Sequence, residues 1–374
     1  MTDLSWPASR YLLSVSKPET RITTRTVSKR QVEAWLRVLA LASVAPAAAS
    51  CSGVQSALDP AGAEATQIAT LFWVMTVGGF LIWALVVAVT LYASRWKRKP
   101  ITEDNAGRFI FWGGVVFPVT VLTALLAYAL WLMPWLRPFG AEEGAGVRVE
   151  IVGSQFWWHV VYRRPDGSTV VSANEIRLPV GERVEFSLES ADMIHSFWIP
   201  ALGGKMDMIP GRTNRLSLLA TRAGTYRGQC AEFCGISHAY MAFPAIAMEP
   251  ADFEAWLDQR SRPSVDLDVN SDGFALFMRE GCGTCHRVDG TAARGTQPVG
   301  IAAGRTPSGI PGPDLSHVGS RLTIGAALLD NDEQTLSRFI AHSASLKPGS
   351  QMPGYPNLTS DELREIAAWL KGLQ

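Results

Sequence analysis

Two stretches of this chain carry no ionisable side chain: Ala65–Ser94 and Phe109–Leu136 contain no Asp, Glu, Lys, Arg or His. Each exceeds the roughly 20 apolar residues that cross a bilayer. A buried core helix is the bland alternative, but runs of this length lack the polar face that a surface helix turns to water. Several aromatics sit where interfacial anchors are expected: Trp73, Trp83 and Tyr92 in the first run, then Trp112, Tyr128, Trp131 and Trp135 in the second. Two transmembrane helices are therefore expected within residues 65–136. Their connection, residues 95–108, holds five basic residues (Arg95, Lys97, Arg98, Lys99, Arg108) against Glu103 and Asp104, whereas Cys51–Ser94 has no Lys or Arg. The positive-inside rule puts the connection in the cytoplasm and everything after Arg137 outside.

A shorter apolar stretch, Val38–Ala49, follows Lys29, Arg30 and Arg37 and ends in A-A-A-S. Basic, apolar and small residues in that order read as a secretory signal peptide, so residues 1–50 are taken as signal and N-terminal extension. Cys51 comes next, where a lipidated cysteine would stand; an unmodified thiol is the other reading. The 374 residues hold 34 basic and 34 acidic side chains, without the basic excess of a nucleic-acid binder. Neutrality is a sum of unlike parts, since residues 137–374 carry 22 basic against 27 acidic residues.

From Val147 to about Leu257 apolar and polar residues alternate with period two, as in V-R-V-E-I-V-G, R-V-E-F-S-L-E and T-N-R-L-S-L-L-A, with turn signals between them. Short strands so spaced predict a β-sandwich or Greek-key barrel over residues 137–259. Into it is set C-A-E-F-C-G-I-S-H-A-Y-M, Cys230 to Met241, with His195 upstream in A-D-M-I-H-S-F-W-I-P. Soft sulfur with imidazole selects copper or zinc. Structural zinc takes ligand pairs two to four residues apart on knuckles; a Met and a distant His suit a cupredoxin-like copper site, and two Cys allow two bridged coppers.

This segment, Trp73–Trp256, resembles subunit II of the haem–copper cytochrome c oxidases. The resemblance implies a binuclear copper centre, CuA: Cys230 and Cys234 as bridges, His195 and His238 as caps, Met241 as a weak ligand and Glu232 through its carbonyl. It also implies that the Glu232 side chain touches magnesium shared with subunit I. Asp192, Asp207 and Arg212 fall in segments that resemble the face held against subunit I. Q-F-W-W-H-V-V-Y, Gln155 to Tyr162, resembles the aromatic patch through which electrons enter, with Phe156 where the family often has Trp, then Trp157 and Trp158. A buried aromatic strand is the competing reading, and His159 reads as structural.

Arg260–Gly273, rich in proline and aspartate, reads as a linker. At 14 residues it would reach roughly 20 Å r.m.s. if flexible. Beyond it G-C-G-T-C-H places Cys282, Cys285 and His286 in the Cys-x-x-Cys-His spacing of covalent haem attachment. Two thiols add to the haem vinyls and the adjacent His faces the iron. Residues 274–374 resemble a class I cytochrome c, with helices before the motif and at the terminus, the latter capped by Thr359 or Ser360. Met352 in G-S-Q-M-P-G-Y is the expected sixth ligand, against His317, His342 and Met278. G-P-D-L, Gly312–Leu315, resembles the loop that orients the axial His.

The fold expected is thus a membrane-anchored multidomain chain: a two-helix transmembrane hairpin, a cupredoxin-like β-sandwich and an all-α class I cytochrome c domain. The combination resembles oxidases of the caa type. It implies electron flow from a cytochrome c donor through haem c and CuA to haem a of subunit I, where dioxygen is reduced and protons are pumped. Subunits I and III are the implied partners and a bacterial inner membrane the implied place. A CuA-bearing nitric oxide reductase subunit and a membrane-anchored copper and haem sensor stay open as other readings.

Overall fold

The computed structural model describes residues 52–95, 102–136, 146–296, 298 and 311–374. The expected signal peptide and Cys51 lie outside the described residues. Helix α1 spans Ala63–Arg95 and α2 spans Glu103–Leu132, both long and apolar enough to cross a membrane. Within α2, Trp112–Val116 widens into a π-helical turn. Pro118 has no N–H to return to the carbonyl of Gly114, and widening the turn accommodates that loss. Phe80, Leu81 and Trp83 on α1, with Ile110, Leu122 and Trp131 on α2, are 60–66% exposed. Helices that satisfy their own backbone yet present so much apolar surface are built for lipid. The protein is membrane-anchored.

The period-two segments form two five-stranded sheets. One contains β1 (Val147–Ser154), β2 (Trp157–Arg163), β3 (Thr169–Ala173), β5 (Arg183–Ser190) and β8 (Asn214–Leu219), in the order β3-β2-β1-β5-β8. The other contains β4 (Ile176–Pro179), β6 (His195–Trp198), β7 (Met206–Met208), β9 (Gly224–Cys230) and β10 (Ala242–Met248), in the order β4-β10-β9-β6-β7. Along β5, Val184, Phe186 and Leu188 turn inward while the residues between them turn out, as one buried face requires. The core centres on Trp158, whose ring lies 5.8 Å from Phe197 and 5.3 Å from Phe243. Gly228 pairs with Phe243 across β9 and β10, and a Cβ there would occupy the Phe243 ring.

Glu64, in the first turn of α1, is buried in this sandwich. It accepts from Arg183 Nη1 at 2.7 Å and from Leu219 N at 3.0 Å. The anchor is thereby fastened to the sheet. Helix α3 (Pro250–Arg260) packs Phe253 and Trp256 on Tyr162 at 6.1 and 5.2 Å.

The C-terminal region has its own core around Trp369, with Phe277 at 5.0 Å and Phe274 at 5.3 Å. It is built from α4 (Asp272–Arg279), a single turn α5 (Cys282–Cys285), a two-residue hairpin β11 (Thr323–Ile324) and β12 (Leu329–Asp330), α6 (Glu333–Leu346) and α7 (Ser360–Gly372). Thr359 caps α7 in a reciprocal box with Glu362. Asp332 caps α6, which sequence reading missed although Asp332 and Thr335 carry its start signal. The segment expected as a linker, residues 260–273, is packed along the C-terminal core. Trp369 Nε1 donates to Asp268 O at 3.0 Å, Ser264 is buried and Leu267 lies on the C-terminal core. The reach of a flexible coil does not apply.

Candidate metal and haem sites

β9 ends at Cys230, and the chain returns through a loop to β10 at Ala242. Cys230 N donates to Met241 O at 2.8 Å, closing the loop at its base. Gly235 takes φ +122°, a backbone that favours glycine, and a Cβ there would stand 2.9 Å from Gln155 Nε2. β6 runs beside β9 with Phe197 opposite Cys230, which brings His195 over the loop.

Six groups that are distant or interleaved in sequence meet there. Cys230 Sγ lies 3.8 Å from Cys234 Sγ, 3.8 Å from His195 Nδ1 and 3.1 Å from the Glu232 carbonyl. Cys234 Sγ lies 3.6 Å from His238 Nδ1 and 3.7 Å from Met241 Sδ. Two donors about 2.3 Å from one ion at a tetrahedral angle stand about 3.8 Å apart, so these spacings suit shared metal. His195, Cys230 and Cys234 are buried, with ligand atoms mutually within 4.8 Å. The Cys234 thiol, His195 and backbone groups hold the Cys230 thiol well below its usual range against the opposing effect of burial. One sulfur favoured as thiolate, with a second sulfur beside it, suits a soft metal.

The shell behind the donors was only partly foreseen. Asp192 also holds His195: Oδ1 accepts from His195 Nε2 at 2.7 Å and Oδ2 accepts from Gln155 N at 2.7 Å. Burial works against its charge, but these bonds outweigh it and keep the carboxyl below the usual range. Nδ1 of His195 is left facing sulfur. Gly153 lets β1 press on that ring, since a Cβ would sit 3.0 Å from Cδ2. Gln155 Nε2 donates to Cys234 O at 2.6 Å. The Glu232 carboxylate faces outward, 3.8 Å from Lys205, which Asp207 shares at 3.7 Å.

Cys282, Cys285, His286 and Met352 all line one cavity; His317, His342 and Met278 do not line it. His286 Nδ1 lies 2.8 Å from Pro313 O. Pro313 O can only accept, so Nδ1 carries the proton and donates it, while burial disfavours the charged ring and leaves Nε2 to a metal. Leu315, Leu336, Phe339 and Ile340 supply apolar walls. Paired thiols, a neutral imidazole, a thioether and apolar walls fit a covalently held haem.

One wall of this cavity comes from the sandwich: Gln155, Phe156 and Trp157 line it too. Phe156 and Trp157 are covered, and Trp158 lies behind them at 0% exposure, its ring 6.4 Å from His195. His159 is buried, as a structural residue would be.

Comparison with known proteins finds a family match for each of the two regions. The family model of the cytochrome c oxidase subunit II periplasmic domain matches residues 160–248, and that of cytochrome c matches 271–374. Cytochrome c oxidase subunit 2 of Alkalihalophilus pseudofirmus is 32% identical over 341 residues, covering 87% of this chain and 93% of that protein. The chain belongs to the cytochrome c oxidase subunit 2 family. Subunit 2 of Bacillus subtilis is 29% identical, over 92% of this chain and 99% of its own length. The crystal structure of the periplasmic domain of cytochrome oxidase subunit II from Bradyrhizobium japonicum is 30% identical over 31% of this chain and 94% of its own, with a TM-score of 0.29. As a cytochrome c oxidase subunit 2 with a cytochrome c domain, the protein serves electron transfer in a terminal oxidase, and its two domain families imply copper and haem c.

Proposed function

We propose that the sulfur–imidazole cluster holds the binuclear CuA centre, bridged by Cys230 and Cys234, capped by His195 and His238, and weakly ligated by Met241 and the Glu232 carbonyl. The order of the donors carries this reading. Two sulfurs lie side by side with an imidazole against each, His195 on Cys230 and His238 on Cys234. One four-coordinate zinc would need all four mutually close, and His238 falls outside the group that contains His195.

Cys282 and Cys285 would hold haem c as thioethers, with His286 and Met352 as its axial ligands. Bound there, haem c and the copper pair supply one-electron transfer, from a cytochrome donor by way of haem c and CuA to haem a of subunit I, where dioxygen is reduced with proton pumping. The chain's part is to hold both groups in low dielectric and to bring them to a common wall. Phe156 and Trp157 line the haem cavity while Gln155 bonds the carbonyl of Cys234, which supports this segment as the place where electrons enter the copper centre. Trp158, deeper, buttresses His195. The outward-facing Glu232 carboxylate would offer magnesium a seat toward subunit I, with subunit III completing the assembly. The basic connection between the helices supports insertion in a bacterial inner membrane with both redox domains extracytoplasmic.

The purified full chain should show a haem c absorption together with a mixed-valence copper resonance, and reducing equivalents given to the haem should appear at copper. A zinc-only centre refutes the reading. Co-purified with its subunit I, the protein should consume dioxygen rather than nitric oxide; the opposite preference would assign it to a reductase.

A further inference from the structure

Lys347 follows α6 and is 4% exposed. Its ammonium reaches out of its own region: Nζ donates to Phe156 O of the sandwich at 2.7 Å and to Gly325 O, beside β11, at 2.6 Å. Among the described residues no carboxylate lies within salt-bridge reach of it. Burial lowers its pKa to about 7. A buried amine with no carboxylate beside it is held there by its hydrogen bonds, here both to backbone carbonyls of other segments.

The surroundings show what these bonds join. Ser237 Oγ, in the copper loop, donates to Pro348 O at 2.5 Å. Gly349 takes φ +76°, and a Cβ there would lie 2.7 Å from Ile236 and 3.1 Å from Phe156. Ala242 N, at the start of β10, donates to Ala326 O at 3.2 Å, and Leu322 N donates to Glu175 Oε2 at 2.9 Å. The seam joins the copper loop directly to the segment that precedes Met352.

We propose that Lys347 is a positioning residue: its two hydrogen bonds lock the C-terminal region on the sandwich, so that the haem cavity and the copper loop share the Phe156 wall as one docked body. The cytochrome region is then a fixed relay rather than a swinging one. This rests on the reading of the two sites as redox centres, and the test separates the two claims.

The test compares the full-length, copper- and haem-loaded chain with its Lys347→Met variant, which keeps side-chain length and removes the donors. The Ala242 and Leu322 amides report docking, because each is protected by an acceptor across the seam. Their hydrogen exchange should quicken at least about tenfold, as expected when two buried hydrogen bonds are lost, while amides inside β1 and α7 stay unchanged. Haem and copper spectra should be retained, and in the assembled oxidase turnover at saturating donor should fall with the KM for donor unchanged. Unchanged exchange at both amides overturns the proposal. Faster exchange with undiminished turnover upholds the lock but refutes electron passage across this wall. Should Lys347→Met fail to take up haem, the wild-type chain still decides: Ala242 and Leu322 amides exchanging like free peptide would overturn the docking, and protection equal to the sheet interior supports it.

Discussion

Asp192→Asn is the sharpest probe of the copper centre, because it changes the proton inventory and almost nothing of the shape. In the native chain Asp192 accepts three hydrogen bonds, from His195 Nε2, Met193 N and Gln155 N, each at 2.7 Å. An asparagine has one acceptor oxygen. If it faces His195, its amide group meets the Gln155 N–H, donor against donor, which costs roughly 1–3 kcal/mol at a partly buried site. If the amide faces His195 instead, Nε2 must give up its proton, Nδ1 takes it, and the nitrogen facing sulfur can no longer bind metal. Either way Gln155, whose side chain bonds Cys234 O, is disturbed together with the ligand. Loss of such an outer partner lowers metal affinity about 10–100-fold, or about 1.4–2.7 kcal/mol. Copper affinity measured by chelator competition on the full-length protein should fall by that factor, with the haem c spectrum untouched. An affinity within twofold of wild type would refute the argument that Asp192 sets the His195 tautomer.

Three other outcomes follow from the same geometry. Gly312→Ala puts a Cβ 2.9 Å from His286 Cε1 and Nδ1 and 3.0 Å from Cys285 O, none of which can easily retreat; overpacking of about 1–3 kcal/mol should show as reduced haem attachment or a shifted haem potential in a redox titration. Burial, aided by the Arg287 charge, pushes His159 down to about 4 from 6.5, so the folded state binds fewer protons than the unfolded one between those values. Its share of stability is therefore full above pH 6.5 and lost as pH falls toward 4, by about 3 kcal/mol; His159→Phe should flatten the melting temperature against pH in that window, and an unaltered slope would count against it. Deleting residues 262–374 should leave the copper resonance intact while turnover with scarce donor falls, and should bare Phe156 and Trp157, seen as increased self-association; undiminished turnover would exclude the relay.

What could be read before the fold was known is chemistry confined to short stretches. The transmembrane runs declare themselves by length and lack of charge. The copper motif packs four donors into Cys230–Met241, and Cys282–His286 is a covalent attachment code. Each depends on near neighbours, so spacing carries it. Asp192 was visible as an acidic residue three positions before His195, but that it turns back onto that ring depended on the turn after β1 supplying the Gln155 N–H.

Length, charge-free runs and local donor spacing thus determined by themselves that this chain is anchored in lipid and carries sulfur–imidazole and haem-binding sites. Only the tertiary structure decided how those sites are supported and joined: Met352 placed on the haem cavity, the residues 260–273 packed rather than loose, and the Gln155–Trp157 wall held from the far side by Lys347. The reason is physical. Phe156 and Lys347 are 191 positions apart, and a contact between a backbone carbonyl and a distant ammonium leaves no period, spacing or composition in the chain; it exists only once two separately folded cores bring their surfaces together.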